Sequence, residues 1–297
     1  MFTIANTPRA GLILVTIAFL IAPGMDVFAK LLTETLSPGM IVIGRFASQT
    51  VLMLPLLLLV GQLVRPRAGH LAAGFFLAFA LLTINAALAV MPIANAIAIF
   101  FVEPLILTLL SALILGERIG WRRIAAVLVG LVGAMVVIRP NFEEYGVTAF
   151  LPLATALFFA CYILVTRVMS QQGDRFALQF WTGVAAMVVM LAASGITHTT
   201  ALPEIVLAVP DLRETILFVA MGAFAVVSHQ LIVNALARTE ASVIAPMQYL
   251  EIISATIFGW WIFGDFPDLL TWVGAGIIIA SGVYVFHRER QVTGGPT

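Results

Sequence analysis

The sequence predicts an all-α polytopic membrane protein, with ten transmembrane helices in two inverted five-helix repeats around a central cavity. Three observations predict it. Of 297 residues, 62% are hydrophobic and only 10% are charged, whereas soluble domains carry about 25% charge. The apolar residues fall into ten runs, each close to the roughly 20 residues that cross a bilayer. The second half of the chain also repeats features of the first at a constant offset.

Read in order, the runs lie near 10–32, 39–62, 70–90, 93–115, 120–138, 148–169, 176–197, 213–236, 241–263 and 268–286. The first is read as a retained helix. No small-residue cleavage site follows it, only Pro23, Gly24, Asp26 and Lys30. The connections are short, and the longest, near 198–212, carries Pro203 and Pro210. With the N-terminus in the cytoplasm, the inside segments carry Arg9, Arg65, Arg67, Arg118, Arg122, Arg123, Arg167, Arg175, Arg238, Arg288 and Arg290. The outside segments carry only Lys30, Arg139 and Arg213, and they hold Glu34, Glu143, Glu144, Glu204, Asp211, Glu214, Asp265 and Asp268. That bias places both termini in the cytoplasm of a multi-pass protein of the cell inner membrane.

Composition also excludes functions. A net charge of zero gives no basic footprint, so no nucleic-acid partner is expected. A single cysteine, Cys161, rules out an intramolecular disulfide and a multi-cysteine metal site. No metalloprotease, nucleophile-elbow or phosphate-loop motif is present. The chain is therefore expected to be no enzyme, with no catalytic residues, no metal and no cofactor.

The repeat appears when "FVEPLILTLLSALILGE" (101–117) is set beneath "YLEIISATIFGWWIFGD" (249–265). Glu103 falls on Glu251, Gly116 on Gly264 and Glu117 on Asp265. Upstream, Ala87 to Ala89 falls on Ala235 to Ala237. Half the chain holds five spans, an odd number, so the second copy enters the membrane upside down. Such repeats place a binding site near the midplane of secondary transporters. The halves are drawn at 1–142 and 143–297.

Ionisable groups inside a membrane are costly and functional by default. Here they are Asp26, Lys30, Arg45, Glu103, His229 and Glu251. Two readings stand for Glu103 and Glu251: proton or substrate-amine sites at a cavity, or hydrogen-bonded ties between helices. Gln248, Glu251 and Ser254 share one helix side, which either reading would use. Asp26 and Lys30, four residues apart, read as a local ion pair with Lys30 reaching the interface, or as part of a helix that Pro23-Gly24 breaks to expose backbone groups to a cavity. Arg45 is set either to bind a substrate carboxylate or to pair with an acid at its helix end. His229, between Ser228 and Gln230, reads as cavity wall or as an interhelical bond, with Thr83 and Asn85 in the related span.

Clustered rings at Phe100, Phe101, Phe158, Phe159, Tyr162, Phe180, Trp181 and Tyr249 would suit an apolar or aromatic ligand. The substrate and cavity candidates are thus Asn85, Phe101, Glu103, Tyr162, Trp181, His229, Gln248, Tyr249 and Glu251. Pro23, Gly24, Pro92, Pro104 and Pro246 are the gating or hinge candidates, since proline removes a helix hydrogen bond. Gly130, Gly133, Gly274, Gly276 and Gly282 are expected to allow close helix contact. Trp260, Trp261 and Trp272 read as interface anchors.

These features resemble the drug/metabolite transporter superfamily, EamA type. The resemblance rests on "RF" at Arg45-Phe46, "EP" at Glu103-Pro104, "GE" at Gly116-Glu117, "LE" at Leu250-Glu251 and "GD" at Gly264-Asp265. It covers essentially the whole chain. Ile252 stands where the family often repeats the proline, and Asp265 where it has glutamate. Within the family the chain is most similar to exporters of aromatic amino acids. The resemblance implies alternating-access export of small metabolites, most of all amino acids, with the lipid bilayer as the setting and protons as a possible coupling ion. A second reading is an exporter of cationic amphiphiles coupled to protons through the membrane glutamates. An intramembrane enzyme is the remote third.

Overall fold

The computed structural model describes residues 8–60, 65–115, 121–170, 175–200, 205–236 and 245–293. Gly116, Glu117, Arg118, Pro203, Glu204, Ala237 and Arg238 lie outside the described residues, as do the first residues of the run near 241–263.

Every regular element among the described residues is helical. In chain order these are α1 (Pro8–Ile21), α2 (Pro23–Leu32), α3 (Pro38–Val60), α4 (Ala68–Leu88), α5 (Ile93–Phe100) and α6 (Glu103–Leu115). They continue with α7 (Trp121–Tyr145), α8 (Leu151–Ser170), α9 (Arg175–Thr200), α10 (Leu212–Leu236), α11 (Leu250–Phe258) and α12 (Leu269–Thr293). Short 3₁₀ turns precede α8 (Gly146–Phe150) and α11 (Ala245–Tyr249), and a π turn, Gly259–Phe263, follows α11. Among the described residues, seven stretches are long and apolar enough to cross a membrane: 10–32, 38–59, 68–88, 93–110, 141–166, 176–195 and 212–232. Ile124–Arg139 and Leu269–Tyr284 are shorter apolar helices. Charge at Arg122 and Arg139 trims the apolar length of α7, and the breaks around α11 divide its run into three short pieces.

Proline sets two of the interruptions. Pro23, at the start of α2, has no N–H with which to reach the carbonyl of Phe19. The Ser254 hydroxyl of α11 lies 3.4 Å from that carbonyl and 3.2 Å from the Glu251 carbonyl of its own helix, and its one proton serves either. The α5–α6 break falls at Phe101 and Val102, just before Glu103-Pro104. Pro92, extended at φ −59° and ψ 143°, caps the start of α5. Pro246 lies in the 3₁₀ turn before α11. Gly264, at φ +75°, closes the π turn in a conformation that favours glycine and turns the chain sharply into Asp265.

Packing joins distant parts of the chain more than neighbours. α4 lies against α8 and α9, α10 against α1 and α3, α3 against α9, α7 against α12, α6 against α8 and α11 against α1. At the α7–α12 crossing, Gly133 and Gly274 oppose each other backbone to backbone; a Cβ on Gly274 would lie 2.6 Å from the Gly133 carbonyl oxygen. Gly130 faces Leu105, and Gly282 faces the Tyr249 phenol. Gly276 corrects the expectation, because nothing stands within 4 Å of where its Cβ would be. Trp260, Trp261 and Trp272 are exposed, as anchors would be.

Candidate functional site

Three helices that begin inside the bundle each carry a carboxylate in the first turn: Asp26 in α2, Glu103 in α6 and Glu251 in α11. The start of a helix has unpaired N–H groups and a partial positive charge, which favours such an anion there. The breaks therefore explain how carboxylates come to stand in the apolar interior.

The three acids form one cluster. Glu251 lies within electrostatic reach of both Asp26 and Glu103. Asp26 also faces Arg45 of α3. Arg45 is buried and is within reach of Tyr162 and His229 as well. Its guanidinium lies over the Phe46 ring at 5.3 Å and its Nη2 contacts the Met25 sulfur at 3.9 Å, while its Nε has no partner. Glu103 is 3% exposed. The Gln248 side chain donates to its carboxylate, and Oε1 is left without a partner. Among the described residues no ion pair reaches Glu103 or Glu251. Asp26, His229 and Glu251 are enclosed by protein yet keep part of their surface accessible, which is how a side chain lining an internal space behaves.

An aromatic chain runs beside the acids. Tyr249 meets Phe101 edge-on at 5.4 Å, Phe101 meets Phe100 at 5.9 Å, Phe100 meets Phe159 at 5.4 Å and Phe159 meets Tyr162 at 5.4 Å. It connects the Glu103 end of the cluster to the Arg45 end. Tyr249 faces Glu103, and its phenol oxygen is buried without a partner. His229 donates from Nδ1 to the Ala225 carbonyl at 2.8 Å, within its own helix.

The structure thus brings together Phe101, Glu103, Tyr162, His229, Gln248, Tyr249 and Glu251. Asn85 is buried in α4, where Thr83 bonds Thr155 of α8 at 2.8 Å. Trp181 packs on Phe180 and belongs with Met53 and Leu57 at the other half of α3. Asp26, read from sequence as a partner of Lys30 near a helix end, and Arg45, read either as a carboxylate binder or as a helix-end partner, both join the central cluster. The sequence signals were their place in otherwise apolar runs and, for Arg45, the Arg45-Phe46 pair.

Lys30 corrects the local ion-pair expectation. It does not pair with Asp26 but with Asp265, at 2.7 Å and from 235 residues away. It also donates to the Met91 carbonyl at 3.3 Å and lies 4.9 Å from the Phe263 ring centre. Beside it, Thr35 donates to Glu214 at 2.6 Å, Arg213 pairs with Glu34 at 3.2 Å, and Ser37 bonds both the carbonyl and the N–H of Val206. One end of the bundle is therefore tied between sequence-distant segments.

Comparison with known proteins agrees with this architecture. The sequence profile of the EamA-like transporter family matches residues 9–139 and again 146–286. The S-adenosylmethionine uptake transporter of Rickettsia bellii is 26% identical over 270 residues, covering 90% of this chain and 89% of that one. The riboflavin transporter of Vibrio cholerae is 29% identical over 206 residues, covering 67% and 64%. The pseudopaline exporter CntI of Pseudomonas aeruginosa is 26% identical over 287 residues, covering 95% and 98%. A solved crystal structure superposes with a TM-score of 0.65 at 17% identity, over 96% of this chain and 100% of the other.

Proposed function

The chain belongs to the EamA-like transporter family, and from that premise we propose that it carries a small zwitterionic metabolite, an amino acid or a derivative of one, across the bacterial inner membrane by alternating access. The observation that carries this reading is the central cluster, with Glu103 and Glu251 at helix starts at one end and Arg45, facing Asp26, with Tyr162 and His229 at the other. An ammonium group suits the first set and a carboxylate the second. The aromatic chain between them suits an apolar or aromatic side group.

The proposed frame is ten crossings in two inverted halves, 1–142 and 143–297, with both termini cytoplasmic. The doubled profile match supports it. So does the pattern of helix contacts, which is preserved when the two sets of five crossings are exchanged: α1 on α10 answers α4 on α8, and α3 on α10 answers α4 on α9. In this frame Lys30 and Asp265 lie at the outer end, so their bond closes the route to the outside. The cluster then opens to the cytoplasm in this state, and export is the direction proposed.

A second reading, export of cationic amphiphiles against protons at Glu103 and Glu251, uses the same acids. Uptake into proteoliposomes separates them, with a panel of amino acids, S-adenosylmethionine and a lipophilic cation, with and without a pH gradient. The proposal expects an amino acid or amino-acid derivative to move. Movement of the lipophilic cation alone would overturn it.

A further inference from the structure

We infer that Gly282 is a specificity-determining position of the cargo site. Its missing side chain leaves a notch in α12 that receives the Tyr249 phenol and so holds the tyrosine back from the cargo. This rests on the central cluster being the cargo site, and it deepens that reading by naming what limits the size of the side group.

Tyr249 ends the 3₁₀ turn Ala245–Tyr249, which lies against α12. The turn brings Gln248 to Glu103 and Tyr249 to Phe101, where the two rings meet edge-on at 5.4 Å. The tyrosine is therefore wedged between the Phe101–Glu103 segment and α12. On the α12 side its phenol fills the place where a side chain of residue 282 would begin. A Cβ on Gly282 would overlap the phenol oxygen and would stand 2.7 Å from Cζ and 3.2 Å from Cε2. Packed atoms do not approach so closely, so any larger residue must displace the ring.

No backbone requirement explains this glycine. It lies inside α12 and is not among the positive-φ glycines, which are Gly146 and Gly264. Glycine in a helix interior is less stable than alanine, so the notch is what it supplies. A displaced phenol has one way to go, away from α12. Phe101 is fully buried and backed by Phe100, so it does not yield. The phenol then enters the space beside Glu103, where Oε1 has no partner and can accept its O–H. The phenol oxygen has no partner in the notch either. Tyr249 is thus the floor of this end of the site, and Gly282 is the positioning residue that sets its depth.

Uptake into proteoliposomes of alanine, methionine, phenylalanine, tryptophan and S-adenosylmethionine tests this. The readout is the ratio of transport efficiency between the largest and the smallest carried members. Gly282→Ala should lower that ratio about tenfold, the scale of one methylene in a fitted pocket. A merely destabilised protein would lose both members alike. Adding Tyr249→Phe to Gly282→Ala removes the overlapping oxygen and should restore most of the lost ratio. Tyr249→Leu with Gly282 intact lowers the floor and should raise the ratio. An unchanged ratio in either single variant overturns the inference and leaves the zwitterion reading standing. Transport of no member by the wild type overturns the zwitterion reading and the inference with it. Tyr249→Leu decides alone if Gly282→Ala cannot be purified.

Discussion

At Pro23 a single missing N–H has a visible consequence, because the Phe19 carbonyl it leaves free is met by Ser254 from the other half of the chain. In a bilayer such a group has no water to turn to, so a side chain or a neighbouring helix must supply the donor. Ser254 was legible as part of a polar stripe with Gln248 and Glu251, but its partner was not, since nothing in sequence says which helix lies opposite. Glycine gives the sharper test at this scale. Gly274 and Gly276 look alike in sequence, two residues apart in one apolar run. Only Gly274 meets another backbone, at Gly133, and Gly276 faces open space. Gly274→Ala should therefore destabilise by about 1–3 kcal/mol, the usual cost of overpacking. Gly276→Ala should stay within about 0.5 kcal/mol of the wild type. Thermal unfolding of the two purified variants in detergent decides, and equal melting temperatures would mean the α7–α12 contact is looser than described.

Among the elements, α2 links the acidic cluster to the Lys30–Asp265 tie. Its first turn carries Asp26 into the cluster, and one turn later Lys30 holds Asp265, the Met91 carbonyl and the Phe263 ring. Pro23 separates it from α1, and Gly24 lets it settle against Phe224 of α10, with Phe28 stacked edge-on to the same ring at 5.3 Å. A short rigid segment with a break at one end and a clasp at the other can move as a unit. The Lys30–Asp265 pair is partly exposed, so its strength is about 1 kcal/mol, or roughly fivefold in population. With Cys161 replaced by Ser and Met25→Cys as the reporter, a membrane-impermeant maleimide added outside should react several-fold faster once Lys30→Met is introduced. Asp265→Asn should do the same, and the two together should add little. No change in rate would remove the pair from the closure. This clasp was hidden in the sequence for a physical reason: Asp26 offered Lys30 a partner four residues away, and the better one lay beyond the whole intervening bundle. Glu103 and Glu251 were legible, by contrast, because the repeat fixed their register and the proline beside Glu103 marked the break that gives it a helix start.

In the molecule as a whole, the heaviest helix pairings among the described residues join the two proposed halves: α4 with α8 and α9, α10 with α1 and α3, α3 with α9, and α7 with α12. Contacts between chain neighbours such as α8 and α9 are sparse. The seven long apolar spans and the doubled family pattern could be read from apolar run lengths and from one offset. The interlocking could not, since run length says nothing about which faces meet. It carries a consequence for assembly. In lipid, where apolar surface gains little by leaving the tails, helices associate through close contact and interhelical hydrogen bonds. Here the close contacts across halves include the Gly133–Gly274 crossing, the Thr83–Thr155 bond and the Ser254–Phe19 contact. A segment covering 1–142 alone would insert but lose all three, together with the Lys30–Asp265 tie. Expressed singly, each half should fail to give a monodisperse species in detergent and should carry no substrate. Expressed together as separate chains, 1–142 and 143–297 should copurify and restore uptake, because the cut falls in the last turn of α7, just before the turn at Gly146, whose φ is +63° and where nothing stands within 4 Å of a Cβ. Gly274→Leu in the second half should then abolish copurification, since a branched side chain cannot fit against the Gly133 backbone. A half that is folded and active alone would show that each five-helix unit is self-sufficient and that the shared core is not what holds the transporter together.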